Sequence, residues 1–190
     1  MLSATDLRKC ARASLRSNWG TVILAFVLVI LISSLTGAIA VGWILIGPLI
    51  LGWEGMFLKL AKSNRVNLDD VFDGFKYFLN AFLLNLLQAL FLFLWMLLLV
   101  FPAIIKSYAY SMSYFIMADN PGITATQAIT QSRQMMDGNK WRLFCLDLSF
   151  IGWYLLSVLT LGILLLWVIP YHHAAKAQFY LDLLPDNGDR

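Results

Sequence analysis

The sequence predicts an all-α fold: a polytopic transmembrane helical bundle of about six spans, arranged as three hairpins with cytoplasmic amphipathic helices. Composition is the first observation behind this prediction. Of the 190 residues, 60% are hydrophobic and only 13% are charged, and the mean hydropathy is +0.73. A water-soluble domain has about a quarter of its residues charged, so a cytosolic enzyme is excluded. A net charge of +3 is too small for binding to nucleic acid through its phosphates.

Charge-free runs, the second observation, locate the spans. They cover residues 17–53, 77–105 and 148–175. An ionised side chain at the middle of a bilayer costs at least about 2.5 kcal/mol, so helices that cross a membrane are drawn from such runs. One crossing takes about 20 residues, and the first run is therefore long enough for two helices.

Breaks within the runs predict hairpins. Two glycines in Thr36–Gly42 divide the first run into helices near 19–37 and 42–61. Phe101-Pro102 divides the next pair of helices, 78–101 and 103–119, because proline removes a backbone donor and disfavours helix in the residue before it. Leu159–Gly162 divides 143–159 from 163–184. The alternative in this last run is one long helix, Leu143–Ile169, which would place the C-terminus on the opposite side.

The distribution of positive charge is the third observation. Every Lys and Arg except Lys106 lies in residues 1–18, 54–77 or 119–142, or in the tail from Lys176 onwards. Lys and Arg close to span ends concentrate on the cytoplasmic face. Six crossings with both termini in the cytoplasm satisfy this distribution. Lys106, near an outer turn, either contacts a lipid phosphate or extends to the headgroups.

The three basic segments resemble one another, and we divide the single integral membrane domain 1–190 into units 1–61, 62–119 and 120–184. Each segment has the pattern of an amphipathic helix followed by a turn and an aromatic residue. The predicted apolar faces are Leu68, Val71, Phe72, Phe75, Phe78 and Leu79 in the second segment, and Ala125, Ala128, Ile129, Ser132, Met135 and Met136 in the third. Thr124 and Gln127 match a capping box, and Gly138 fits a helix C-terminus. The alternative is that any juxtamembrane segment is basic and aromatic.

Polar residues within the spans are the candidates for an intramembrane site. Asn85 and Gln88 share a face of the third helix, and Ser107, Ser111 and Tyr114 align on the fourth. They either receive a polar headgroup or form hydrogen bonds between the helices of a hairpin. His172 lies near mid-depth of the last helix, where it has either a proton-coupled role or a packing role with hydrogen bonds.

A second candidate binding site lies on the third amphipathic helix, predicted over Thr124–Asp137. Arg133 and Asp137 are four residues apart, which permits an ion pair. We expect Arg133 and Lys140 to bind an anionic lipid headgroup or an acidic partner, with Asp137 orienting the guanidinium. The alternative is that these residues only mark the cytoplasmic face.

No catalytic, cofactor or metal site is predicted. The two cysteines, Cys10 and Cys145, are far apart and have no metal-ligand spacing. The adjacent histidines His172 and His173 point about 100° apart on a helix, unlike the i,i+4 pair that binds metals well. No nucleophile–base pair or glycine-rich phosphate loop is present, so an enzymatic activity is not indicated.

Several strings in the chain are shared with a known family. They are Ile105-Lys106-Ser107-Tyr108-Ala109-Tyr110-Ser111-Met112, Ala118-Asp119-Asn120-Pro121, residues 128–140, Ser149-Phe150-Ile151-Gly152-Trp153, Leu159-Thr160-Leu161-Gly162-Ile163, Pro170-Tyr171 and Ala177-Gln178-Phe179-Tyr180. Together they resemble bacterial integral membrane proteins grouped as domain of unknown function 975, over residues 5–182. The resemblance implies a multi-pass protein of the bacterial plasma membrane. It implies no activity and no catalytic residues.

Two functions are expected from these observations. The first is a non-catalytic accessory or scaffold protein that acts through membrane lipids, other membrane proteins or self-association. The second is a transporter or exporter of a lipid, a peptide or another amphipathic small molecule. Buried titratable pairs would favour transport or catalysis, whereas an exposed small-residue or aromatic groove would favour partner binding.

Overall fold

The computed structural model describes the backbone of residues 2–36, 41–63, 65–98 and 100–184, and the side chains of 2–34, 44–63, 65–96 and 103–184. Within these ranges every regular element is a helix, which confirms the all-α prediction. The elements are α1 (Ala4–Leu15), α2 (Trp19–Thr36), α3 (Val41–Ser63), a 3₁₀ helix (Leu68–Tyr77), α4 (Phe78–Leu98), α5 (Val100–Tyr110), α6 (Ser113–Asp119), α7 (Ala125–Met135), α8 (Lys140–Leu148), α9 (Ile151–Leu159) and α10 (Leu165–Leu183).

Three helical stretches of the described chain are long and apolar enough to cross a membrane: Ile44–Ser63, Leu68–Met96 and Lys140–Leu159. A fourth is present if Ala4–Leu15 and Trp19–Ser34, which are bent by 95°, form one span. These are fewer than the six predicted spans. The remaining predicted spans are interrupted or more polar, since a turn separates α5 from α6 and α10 contains His172, His173, Lys176 and Asp182.

A turn divides the third apolar run near Leu159–Gly162 as predicted, and a second turn at Ser149 and Phe150 interrupts the predicted helix 143–159. α9 ends at Leu159, and Leu161 and Gly162 both have positive φ, 51° and 85°. This left-handed backbone cannot continue a right-handed helix, so the alternative of one long helix is wrong. The predicted turn at Thr36–Gly42 falls largely on residues 37–40, which lie outside the described residues.

The second apolar run forms a helical hairpin. α4 is described as far as Leu98 and α5 from Val100 onwards, so Pro102 lies within α5 as described, and residue 99 lies outside the described residues. α4 and α5 pack together, since Gln88 donates a hydrogen bond to the carbonyl of Tyr110 and Lys106 contacts the ring of Trp95.

α7 has the predicted N-terminus. The Gln127 N–H donates to the Thr124 hydroxyl, and the Gln127 side chain accepts from the Thr124 N–H at 3.0 Å. Its buried face, Ala125, Ala128, Ile129 and Ser132, packs against α4, α5 and α6. The helix ends at Met135, two residues before the predicted end, and Gly138 follows with φ 74°.

The second amphipathic segment differs from its prediction. It is a 3₁₀ helix, which has three residues per turn, and its buried residues are Asp70, Val71 and Gly74. Of the predicted apolar face, Val71 is buried and Phe75 packs against the core, whereas Phe72 and Leu79 are 42% and 65% exposed. Phe72 and Leu79 therefore point away from the bundle, and Asp70, Val71 and Gly74 point towards it.

Close packing of the 3₁₀ helix on α3 depends on glycine. A Cβ added to Gly74 would fall on the carbonyl oxygen of Pro48, and one added to Gly52 would fall on that of Val71. Because only glycine lacks a Cβ, these two positions allow the backbones to approach more closely than any other residue would permit.

α3 lies at the centre of the core. Its residues Met56, Phe57 and Leu60 are fully buried and pack with side chains of α6 and α10, among them Phe115 and Tyr180. α1 packs along α10, and its buried residues are Leu7, Ala11, Ser14 and Leu15.

Large apolar side chains are exposed elsewhere on the molecule. They include Phe93 (64% exposed) on α4 and Val158, Leu159 and Leu161 (74, 80 and 94%) at the end of α9. Soluble monomers rarely expose apolar surface of this extent, so these faces fit a lipid environment.

Candidate functional site

The adjacent histidines of α10 face different neighbours, as the 100° step of an α-helix requires. His172 points towards α8 and α9, whereas His173 points towards α3. Their ring centroids are 6.4 Å apart. α10 thus joins two polar networks.

The network of His172 contains a shared carboxylate. Nε2 of His172 lies 2.7 Å from Oδ1 of Asp147, and Nδ1 lies 2.8 Å from the hydroxyl of Tyr154. Asp147 also accepts a hydrogen bond from the Tyr108 hydroxyl at 3.1 Å, and Nζ of Lys176 is 3.8 Å away. The ring of His172 stacks on Phe150. The structure therefore places the predicted residue His172 in a fully hydrogen-bonded position.

The network of His173 contains an incompletely paired carboxylate. Nδ1 of His173 lies 2.9 Å from Oε1 of Glu54, a residue that is only 9% exposed. The second oxygen, Oε2, is buried and has no hydrogen-bond partner among the described residues. Trp53 and Phe57 pack against the imidazole ring, each with its ring centroid 5.7 Å away. An unpaired buried carboxylate oxygen is costly, and so this atom marks a place where a ligand would be stabilised.

Glu54 and His173 line a cavity of roughly 430 Å³, which we call the Glu54 cavity. α3, α4, α5, α6 and α10 all contribute to it. Its walls are Ile50, Trp53, Glu54, Gln88, Leu92, Ser107, Tyr110, Ser111, Tyr114 and His173.

The structure brings the polar residues predicted on the third and fourth helices together around this cavity. Gln88 donates to the carbonyl of Tyr110 at 3.2 Å, and the Tyr114 hydroxyl donates to Asn85 at 3.1 Å. Ser111 lies on the cavity wall, whereas Asn85 lies behind Tyr114. Gln88 and Tyr114 thus form hydrogen bonds between the predicted hairpin helices, one of the two alternatives, and both residues also line the cavity.

A second cavity, of roughly 380 Å³, contains the predicted residues Arg133, Asp137 and Lys140 together with Lys106, and we call it the basic cavity. The predicted ion pair between Arg133 and Asp137 is wrong, because α7 ends at Met135 and Asp137 is no longer on its surface. Among the described residues Asp137 instead pairs with Lys140, at 3.7 Å.

A third cavity, of roughly 460 Å³, lies between α3, the 3₁₀ helix and α6, and its charges are paired. Lys59 binds Asp70 at 2.5 Å, and Lys62 forms an ion pair with Asp119. Asp70 also accepts a hydrogen bond from the backbone N–H of Asn67 at 2.7 Å. These contacts join α3 to the two neighbouring segments and indicate a structural role.

Sequence reasoning does not identify most members of the two networks. Glu54 and Asp147 only border charge-free runs, His173 is only the neighbour of His172, and Tyr108 and Tyr154 carry no distinguishing pattern. The sequence does contain one signal for the two carboxylates, because each is a single acidic residue within a mainly apolar segment. Glu54 is the one acidic residue of α3, and Asp147 that of α8.

Comparison with known proteins places the chain in a family. Residues 1–106 and 96–187 match the family model described as "Protein of unknown function (DUF975)". No curated protein and no solved structure matches the chain. Since the two matched ranges together cover nearly the whole chain, it belongs to the DUF975 family.

Proposed function

We propose that this chain is a multi-pass protein of the bacterial plasma membrane that transports a small amphipathic cation bearing N–H donors. The observation that carries the proposal is Glu54, a residue only 9% exposed on the wall of a cavity formed by five helices, whose oxygen Oε2 has no hydrogen-bond partner among the described residues. Buried acid–base pairs of this kind favour transport over a purely structural role, because ionisable groups inside a bundle are costly unless they serve a ligand or a proton.

The chemistry of the Glu54 cavity favours a ligand that donates hydrogen bonds. The amide of Gln88 and the hydroxyls of Ser107 and Ser111 each donate to a backbone carbonyl. Their oxygen atoms remain as acceptors, and Glu54 is an acceptor when ionised. A protonated amine supplies several N–H donors and a charge that matches the carboxylate.

Aromatic rings favour the same class of ligand. Trp53, Tyr110 and Tyr114 lie on the wall of the cavity, and the aliphatic side chains of Ile50 and Leu92 complete it. Aromatic faces attract cations, and the effect is larger where water is excluded. An amphipathic cation would place its charge at Glu54 and its apolar part against these side chains.

His173 provides a way to couple the ligand to protons. An imidazolium at His173 and a cationic ligand would both be stabilised by the single carboxylate of Glu54, which lies 2.9 Å from the imidazole. Two positive charges at one buried carboxylate repel each other. Binding of the cation and protonation of the imidazole would therefore oppose each other, which is the coupling that a proton-coupled exporter needs.

The same proposal includes six crossings with both termini in the cytoplasm. In this arrangement α2, α3, α4, α5 with α6, α8 with α9, and α10 each cross once. Support comes from the positions of Lys and Arg in the sequence and from the turn at Leu161 and Gly162, which both have positive φ. The amphipathic segments α1 and α7 and the 3₁₀ helix then lie at the cytoplasmic face. Lys106 shares a cavity with Arg133 and Lys140, so it lies nearer to the cytoplasmic face than the outer-turn position expected from the sequence.

Transport is tested with the purified protein in liposomes whose interior is acidic. Ethidium is a suitable probe because it is an aromatic cation with amino groups, and its permanent charge prevents passive trapping as a weak base. Wild-type liposomes should accumulate ethidium as protons leave, and Glu54→Gln should reduce accumulation to the level of protein-free liposomes. Asp69→Asn, which neutralises an exposed carboxylate outside the cavities, is the matched control. Equal accumulation by wild type and Glu54→Gln would refute the proposal.

A role as an accessory protein acting through lipids is the second candidate. The observation that favours it is the basic cavity, which is separate from the Glu54 cavity and has a different charge.

A further inference from the structure

The basic cavity has an excess of positive charge. Three cationic side chains, Lys106, Arg133 and Lys140, line it together with one carboxylate, Asp137. In the third cavity, by contrast, Lys59 and Lys62 are each paired with an aspartate. The one acid of the basic cavity is 85% exposed and lies 3.7 Å from Lys140, so it neutralises that lysine only weakly.

The three cations come from three different helices. Lys106 lies in the second turn of α5, Arg133 near the end of α7, and Lys140 at the first position of α8. Within the described chain Arg133 forms no ion pair, and Lys106 contacts the ring of Trp95, with Nζ 4.8 Å from its centroid. Like charges repel, so the chain gains nothing from gathering them unless an anion lies between them.

We propose that the basic cavity binds a phosphate group, as found in an anionic phospholipid or a small phosphate ester. Arg133 presents a planar set of donors that matches two phosphate oxygens, and the two lysines add charge from either side. Thr130 and Gln134, also on the wall, supply further polar groups. This site is independent of the proposed transport function, because it shares no residue with the Glu54 cavity.

The surroundings of the cavity favour a phospholipid as the source of the phosphate. Ile105 lies on the cavity wall and is 54% exposed, and the preceding Ile104 is 51% exposed. Trp141, which directly follows Lys140, is 70% exposed and stacks on Phe144. Exposed aliphatic and indole groups beside cations match the boundary between acyl chains and headgroups.

The test measures lipid retained by the purified protein. Protein in mild detergent is mixed with equal amounts of phosphatidylglycerol and phosphatidylcholine, and bound lipids are counted by native mass spectrometry. Arg133→Gln and Lys140→Gln should each weaken phosphatidylglycerol binding about fivefold, the factor that corresponds to about 1 kcal/mol per basic residue near a lipid surface. Phosphatidylcholine binding should change less, since its headgroup has no net charge.

Two control variants separate a binding site from a general effect of charge. Lys9→Gln removes an equally positive but 81% exposed lysine away from the cavity and should leave lipid binding unchanged. Asp137→Asn removes the single negative charge of the cavity and should strengthen phosphatidylglycerol binding. A loss in Lys9→Gln equal to that in Arg133→Gln, or a loss in Asp137→Asn, would overturn the proposal.

A second arm distinguishes the two sources of phosphate. Glycerol 3-phosphate is titrated into delipidated protein and into protein carrying phosphatidylglycerol. Displacement of the lipid only at high concentration identifies a phospholipid site, whereas tight binding to delipidated protein that Arg133→Gln abolishes identifies a small phosphate ester. The phosphate site is refuted if neither compound binds in an Arg133-dependent manner. It is also refuted if the variants no longer co-purify with an acidic protein but bind lipid as the wild type does.

Discussion

At the scale of single residues, the carboxylate of Asp147 connects three helices. Asp147 of α8 contacts Tyr108 of α5 and both His172 and Lys176 of α10. Tyr154, at the other end of the same network, has one hydrogen bond to His172. The energetic importance of a residue here should therefore follow its number of partners, because each partner left unpaired after a substitution pays its own desolvation cost.

Substitutions in the His172 network test this reasoning. Asp147→Ala leaves an imidazole, an ammonium group and a phenol without their acceptor, and it should lower the free energy of unfolding by about 3 kcal/mol. Tyr154→Phe removes one hydrogen bond and should cost about 1 kcal/mol. Both are measured by unfolding the purified protein in mixed detergent micelles. A Tyr154→Phe variant that is less stable than Asp147→Ala would contradict this description of the network.

Between elements, the closest packing involves α3 and the 3₁₀ helix. Gly52 and Gly74 sit where an added Cβ would meet backbone atoms of the other element. Backbone cannot move aside as a flexible side chain can, and so the two elements would have to separate. The same contact positions Lys59 against Asp70, and it therefore fixes the C-terminal end of α3.

Alanine substitution at glycine measures this contact. Gly52→Ala should destabilise the protein by about 2 kcal/mol or more through overpacking. Gly20→Ala is the matched control, because Gly20 is also helical but has nothing within 4 Å of its missing Cβ, and its effect should stay within about 0.5 kcal/mol. Thermal unfolding in detergent compares the two variants, and equal stabilities would show that the helices can repack around the added methyl group.

The element boundaries show why some sequence predictions succeeded. α7 was predictable because a capping box, a 3.6-residue apolar period and a terminal glycine all agree at Thr124–Gly138. The 3₁₀ helix was not, because the apolar positions Leu68, Val71 and Phe75 have the spacing of an α-helix, whereas three residues per turn place Gly74 below Val71. Gly74 identifies the buried face, but the need for glycine there comes from contact with the backbone of α3, which is distant in the sequence.

The candidate site was predictable only in part. Gln88, Ser111 and His172 stand out in the sequence because polar groups are conspicuous in apolar runs. Glu54 and His173 meet across 119 positions of the chain, and no local pattern encodes their contact. The gathering of Lys106 with Arg133 likewise depends on the packing of α5 against α7.

On the scale of the whole molecule, the arrangement of six crossings makes a prediction that can be tested in cells. Reporter fusions after residues 64, 139 and 190 should all report a cytoplasmic location, and fusions near Gly37, Phe101 and Gly162 should report an external one. The reason is that the basic residues lie in the first set of connections and the tail. An external C-terminal fusion would eliminate the six-span arrangement.

The central claim is that the carboxylate of Glu54 binds a cation, and equilibrium binding tests it most directly. Ethidium fluorescence polarisation is measured with the purified protein. Wild type should bind ethidium, and Glu54→Asp should retain measurable binding while Glu54→Gln does not. Ethidium binding by a folded Glu54→Gln variant with wild-type affinity would contradict the claim.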